Sequence, residues 1–145
     1  MSKLRFDHVS IVVNDLDSAV RFFEVLGLEV DGKADISGDW VDRISGVPGI
    51  DCEICMMKTP DGAARIELTR YRSPGTAGVD LDASIISAVG LRSVMFEVDD
   101  IAVMERRLAE AGGELMGEIV QYENAYKLCY VRGPEGVIVA LAESL

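Results

Sequence analysis

A single histidine, His8, stands in this chain of 145 residues. Imidazole is the side chain whose ordinary pKa lies closest to neutrality, so it can hold a metal, move a proton or sense pH. The other candidates for metal or nucleophile chemistry are Cys52, Cys55 and Cys129. Cys52 and Cys55 have the spacing of a zinc knuckle, yet they fall in a run, 50–57, that reads as a strand. Residues three apart on a strand point to opposite faces, so this pair does not grip one ion. No second Cys or His pair completes a site, and an odd number of cysteines does not suit a disulfide framework. The thiols are therefore read as structural. Residues 45–49 read SGVPG rather than a phosphate-binding loop, and there is no G-x-S-x-G nucleophile elbow.

Composition narrows the partners. Lys and Arg total 14 against 25 Asp and Glu, a formal charge of −11, with no basic patch to bind nucleic acid or an anionic membrane. At 49 % hydrophobic residues the chain is too apolar for intrinsic disorder. Its longest apolar runs, such as 137–142, fall far short of the roughly 20 residues that span a bilayer. The N-terminal MSKLRFDH lacks an apolar stretch behind its basic residues, so no secretory signal is expected and the cytoplasm is the expected compartment. The length suits one domain, 1–145.

The elements that must position His8 emerge when the chain is laid on itself. Residues 6–16, FDHVSIVVNDL, align with 91–101, LRSVMFEVDDI, at an offset of 85. The offset also pairs Asp15 with Asp100, Gly27 with Gly112 and Glu29 with Glu114. Each half opens with a strand and then a helix. In the first, Asn14 or Asp15 caps a helix with Leu16, Ala19, Val20, Phe23 and Leu26 on one face, and Gly27 stops it. In the second, Asp99 or Asp100 caps, Ile101, Met104, Leu108 and Ala111 form the stripe, and Gly112-Gly113 ends it. Three strands follow each helix, at about 28–34, 50–58 and 64–71, and again at about 114–122, 125–132 and 137–142. The turns PDG (60–62) and PEG (134–136) precede the last strand of each half. The unit is thus β-α-β-β-β, twice: module 1 at about 4–71, a linker at 72–90 and module 2 at about 91–145. A turn-rich insertion, 37–49, holds the lone Trp40.

Strand alternation sorts the faces. Val9, Ile11 and Val13 should lie under the first helix, leaving Phe6, His8, Ser10 and Val12 on the other side. Likewise Val94, Phe96 and Val98 should face the second helix and Ser93, Met95 and Glu97 face away. A sheet covered on one side and polar on the other suggests a curved wall around a cavity, with His8 pointing in. The alternative is an ordinary solvent-facing or hydrogen-bonded histidine.

The paired units, opening with DHVSIVVNDLDSAVRFFEVLGL and VMFEVDDIAVMERRLAEAGG, resemble the vicinal oxygen chelate superfamily. That group includes glyoxalase I, bleomycin-resistance proteins, extradiol dioxygenases and methylmalonyl-CoA epimerase, and the resemblance covers nearly the whole chain. It implies an α+β fold of two βαβββ modules whose curved mixed sheets enclose a cavity, often within a homodimer. It also implies a divalent metal (Zn, Ni, Fe or Mn) held by the first and last strands of each module. In this sequence those positions are His8 and Glu67, then Ser93, where a histidine is usual, and Ala140, where a glutamate is usual. A methyl group donates nothing and a neutral hydroxyl is a poor ligand, so half the centre is missing. Glu97 lies on the same face as Ser93 but about 13 Å further along the strand, and Glu143 faces away by parity.

Two functions follow from the resemblance. In the first, His8 and Glu67 serve an enzyme of lyase, isomerase or dioxygenase-like type acting on an oxygenated small molecule. They do so by holding an ion or, without one, by moving a proton. In the second, the chain is a metal-free small-molecule binder of the bleomycin-resistance type, and the pair merely bonds a ligand or each other. Ser10, Trp40, Ser93, Met95, Glu97 and Ala140 would line the ligand cavity, with Trp40 as a lid or as a loop's buried anchor. Tyr122, Tyr126 and Tyr130 share one strand parity and could join them, although a hairpin turn between the first two would disturb the count.

Overall fold

Asp15 ends an extended stretch and turns its carboxylate back onto the Ser18 amide at 3.0 Å, which satisfies one of the free N–H groups of a new helix. That helix, α1 (Leu16–Leu26), buries Ala19, Val20, Phe22, Phe23 and Leu26 and stops at Gly27, whose φ of 120° excludes most side chains. Asp100 repeats the device on the Val103 amide at 3.0 Å and starts α3 (Ile101–Glu110). The computed structural model describes residues 4–76, 86–87 and 89–145. Most of the expected linker and the first three residues thus lie outside the described residues. Among the described residues no helix is long and apolar enough to cross a membrane.

The chain divides into two compact units, 1–77 and 78–145. In the first, α1 and the insertion helix α2 (Asp39–Ser45) accompany β1 (Val9–Val12), β2 (Glu29–Ser37), β3 (Asp51–Lys58) and β4 (Arg65–Ser73). The sheet order is β1-β4-β3-β2, with β1 parallel to β4 and the other pairs antiparallel. In the second, α3 accompanies β5 (Ser93–Glu97), β6 (Glu114–Leu115), β7 (Val120–Tyr122), β8 (Tyr126–Arg132) and β9 (Ile138–Ser144). Its order is β5-β9-β8-β6 with β7 also on β8, and β5 runs parallel to β9. Both sheets are mixed and the class is α+β. The first strand pairs with the last in each, as a repeated βαβββ unit requires.

Differences from the expected boundaries have local causes. The strand expected over 114–122 is two, β6 and β7, both on β8. Between them Met116 still donates its N–H to the Tyr130 carbonyl at 3.0 Å, and Gly117 breaks the run. β2 runs on to Ser37 because Ala34, Asp35 and Ile36 find antiparallel partners in Ile54, Glu53 and Cys52. The insertion is not all turn. Residues Asp39–Ser45 form α2, and the Asp42 carboxylate closes its loop by accepting from the Gly49 and Ile50 amides at 2.9 and 2.8 Å.

The first unit's core lies between α1 and its sheet: Phe22 and Phe23 meet edge to face at 5.4 Å over Val13, Met57, Ile66 and Leu68. Each such side chain contributes roughly 1.5–3 kcal/mol through burial. In the second unit Ile101 and Leu108 of α3, with Val131, Val139 and Leu141, make the corresponding layer. There Gly113 is obligatory on packing grounds, because a Cβ would come within 2.8 Å of the Leu108 carbonyl and 2.9 Å of Val131.

Candidate functional site

Register places the polar groups before any ligand is considered. In the β1–β4 pair Val9 lies opposite Ile66, Ser10 opposite Glu67 and Ile11 opposite Leu68. Val13, Ile66 and Leu68 are buried under α1, and Ser10, Glu67 and Thr69 occupy the other face. His8 lies one residue before β1, on that same side. Its Nε2 is 3.6 Å from Glu67 Oε2, and its Nδ1 is 2.7 Å from Asp7 Oδ2. The ring is 30 % exposed and the Glu67 side chain 21 %, so solvent reaches the pair without flooding it.

The two carboxylates differ in how they are held. Glu67 Oε1 accepts from the Thr69 hydroxyl at 2.8 Å and from the Ser10 hydroxyl at 3.2 Å. These bonds fix the carboxylate with Oε2 toward His8. Thr69 is the one buried polar residue among those described, at 2 % exposure, and its hydroxyl is satisfied by Glu67, with the Ser10 hydroxyl 3.4 Å away. Asp7 is exposed, touches Arg5 at 2.5 Å and lies 3.9 Å from Arg65. The His8 hydrogen bond, and then Arg5, hold its carboxyl below the usual carboxylate range. An ionised Asp7 accepts from His8 Nδ1–H, which leaves Nε2 as the basic nitrogen aimed at Glu67. Asp7 and Thr69 escaped the sequence reading. The signals were present: Asp7 adjoins the lone histidine, and Thr69 shares strand parity with Glu67.

The insertion sits on this same face. Val41, Ile50 and Cys52 are buried together, with Ile36, Ile54 and Tyr71 packed against them. Cys52 pairs with Tyr71 and Ile54 with Thr69 across the sheet, so the cluster continues the row that carries Glu67. Burial raises the Cys52 thiol pKa, and the Glu67 charge adds to it. Cys55 has the opposite parity, fully buried on the α1 side, so the two cysteines occupy separate environments. The buried anchor of the insertion is Val41 rather than Trp40, which is 55 % exposed on α2.

The second unit presents an apolar counterpart. Ser93 lies opposite Ile138, Met95 opposite Ala140 and Glu97 opposite Ala142, so Met95–Ala140 repeats the Ser10–Glu67 row. Ser93 is exposed, Met95 is 56 % exposed and Ala140 is buried at 1 %. Tyr130 pairs with Ala140 on the next strand. Tyr122 and Tyr126 are direct cross-strand partners whose rings stack at 5.7 Å, so the β7–β8 hairpin preserves the common face of all three tyrosines. Glu97 accepts from the Ser144 hydroxyl at 2.6 Å. Glu143 turns to the helix side, where it caps the Ile101 amide at 3.0 Å.

This donor set does not fit a divalent ion in the pattern implied above. His8 and Glu67 each have one donor atom already engaged, and the equivalent row supplies a hydroxyl and a methyl group. Among the described residues no three His, Cys, Asp or Glu side chains are grouped to hold a metal.

The duplicated register is matched by comparison with known proteins. Residues 5–141 match the Glyoxalase/Bleomycin resistance protein/Dioxygenase superfamily. The chain belongs to that superfamily. A glyoxalase family protein from Bacillus cereus has a similar crystal structure, with 49 % identity and a TM-score of 0.94 over 100 % of this chain and 97 % of that one. YwbC of Bacillus subtilis (strain 168), an uncharacterised protein, is 27 % identical over 136 residues, 91 % of each chain. The trypanothione-dependent glyoxalase I of Leishmania major shares the fold, with 19 % identity and a TM-score of 0.68 over 97 % of this chain and 87 % of that one. Within this glyoxalase-superfamily chain, then, the polar row of the first unit and the aromatic row of the second are the two parts to explain.

Proposed function

We propose that this protein is a lyase or isomerase of small oxygenated molecules in which His8 moves a proton. The observation that carries the reading is the His8 ring, with one nitrogen on Asp7 at 2.7 Å and the other 3.6 Å from Glu67. Asp7 holds the Nδ1–H tautomer, so Nε2 is free to accept a proton from a carbon beside a carbonyl. The imidazolium that forms lies between two carboxylates, and Coulomb attraction to both lowers its energy. Ser10 and Thr69 keep the Glu67 carboxylate oriented through that change. The incomplete donor set favours proton transfer by side chains over a metal-held enediolate. The test is deuterium exchange: chelator-treated protein is incubated in D2O with α-hydroxycarbonyl compounds and followed by proton NMR. Exchange that His8→Ala abolishes supports the reading. Exchange that appears only with added Ni²⁺, Zn²⁺, Fe²⁺ or Mn²⁺ refutes it.

A second reading rests on a separate observation. The stacked Tyr122 and Tyr126, with Tyr130 and Met95 beside Ala140, form an exposed aromatic face suited to a planar or cationic ligand, and Glu97 stands on the same sheet face. On this reading the protein sequesters a ligand without turnover. Thermal-shift screening of cationic aromatic compounds against Tyr126→Ala separates it from the enzyme. We also infer a homodimer, for which sedimentation at micromolar concentration is the check.

A further inference from the structure

A cavity of about 250 Å³ opens between the first turns of α1 and the middle of β2 and β3. Leu16 and Val20 give it an apolar wall on the helix, the Ala34 and Ile54 stretches of the strands form its floor, and Asp17, Lys33, Asp35 and Glu53 place charges around it. Lys33 pairs across the sheet with Cys55, whose thiol feels both the Lys33 ammonium and Glu24 of α1. The Lys33 side chain therefore projects on the helix side, the opposite face from the one carrying Ser10 and Glu67. Nothing in the proton-transfer reading uses this cavity.

Its charges are unequally satisfied. Glu53 is held by Arg70 at 3.1 Å and Arg72 at 3.4 Å, and Asp35 by Arg72 at 2.8 Å. Those bonds, first to Asp51 and then to Asp35, raise the Arg72 pKa, so this edge of the cavity is closed by its own ion pairs. Asp17 and Lys33 differ. Among the described residues neither side chain makes a hydrogen bond or ion pair, and they do not pair with each other. Two opposite charges facing one partly apolar space, each left to water, match a ligand that carries the complementary pair. A simple anion leaves the Asp17 carboxylate facing it, and a simple cation leaves the Lys33 ammonium facing it. The volume lies just under the roughly 300–1,000 Å³ of drug-sized sites, which suits a metabolite.

We propose that this cavity binds a small zwitterion, an aliphatic α-amino acid. Its carboxylate is held by Lys33 and its ammonium by Asp17, and its side chain lies on Leu16 and Val20. Titration of the ¹⁵N-labelled protein with L-leucine tests it, with 4-methylpentanoate and 3-methylbutylamine as the two singly charged comparisons. The expected result is saturable shifts confined to amides at 16–20, 33–35 and 53–54, with leucine binding at least tenfold tighter than either comparison. Lys33→Ala and Asp17→Asn should each weaken binding about tenfold, while His8→Ala leaves it unchanged. Both charge variants alter exposed side chains, and their amide dispersion reports that the fold is retained. The proposal is overturned by an absence of saturable shifts up to about 10 mM leucine. It is equally overturned by shifts centred on His8 and Glu67, or by a singly charged comparison that binds as well as leucine. Loss of the His8 activity would leave this result untouched, so the two readings fail separately.

Discussion

The first and last strands meet in the same parallel register in both units, yet the rows they build are chemically opposite. Ser10 beside Glu67 in the first becomes Met95 beside Ala140 in the second. In the first row hydroxyls and carboxylates satisfy one another next to a histidine; in the second a methyl group is buried beside tyrosines. The repeated backbone demands only that the helix-facing positions be apolar, as Val13, Ile66 and Leu68 are in one unit and Val139 and Leu141 in the other. It leaves the far face free to diverge. The same scaffold thus carries a polar row in one unit and an apolar one in the other.

Four comparisons sharpen or break this contrast. The largest effect belongs to His8→Ala, expected to lower proton exchange by roughly 10²–10⁴-fold if the polar row is the reactive one. An equal loss from Tyr130→Phe, with His8→Ala neutral, would move the chemistry to the second unit. Next comes Ala140→Glu, which inserts a carboxylate at a site 1 % exposed. It should cost about 3 kcal/mol or more in urea unfolding. Glu67→Ala, which leaves the Ser10 and Thr69 hydroxyls only each other at 3.4 Å, should cost about 1 kcal/mol. Equal costs would mean that the rows are interchangeable.

Gly113 comes third. At the offset of the repeat its counterpart is Leu28, a buried side chain, while Gly113 has no room for a Cβ. Gly113→Ala should therefore destabilise by roughly 2 kcal/mol through overpacking against Leu108 and Val131. Leu28→Ala should destabilise by a similar amount for the opposite reason, a cavity. The last effect is confined to alkaline pH. Burial raises the Cys129 thiol from 9.0 to about 11. Below pH 9 the thiol is neutral in both folded and unfolded chains, and its burial stabilises the fold in full. Between pH 9 and about 11 the unfolded chain loses its proton first, so stability falls, by at most about 2.7 kcal/mol. Cys129→Ala should flatten that part of the curve, and an unchanged slope would assign the loss to other groups.

Much of this was legible in one chain because local rules agreed with the global fold. Asp15 and Asp100 as caps, Gly27 as a stop, and the alternation of Val9, Ser10 and Ile11 all held in the structure. Where the reading failed, the cause was non-local. Residues 37–49 looked like turns because α2 is short and stabilised by Asp42 reaching forward to the Gly49 and Ile50 amides. Residues 114–122 looked like one strand because the alternation does not register the break at 117–119, where pairing with β8 is interrupted.

By itself, then, the sequence determined the duplicated βαβββ plan and the faces of each first strand. Periodicity and spacing act over a few residues, and a repeat makes them self-checking. Only the tertiary structure decided that Asp7 and Thr69 belong to the His8–Glu67 group, and that the three tyrosines share a face. It also decided that Asp17 and Lys33 border one cavity. Those facts depend on cross-strand register and on helix-to-sheet distance, which are settled by packing between segments far apart in the chain.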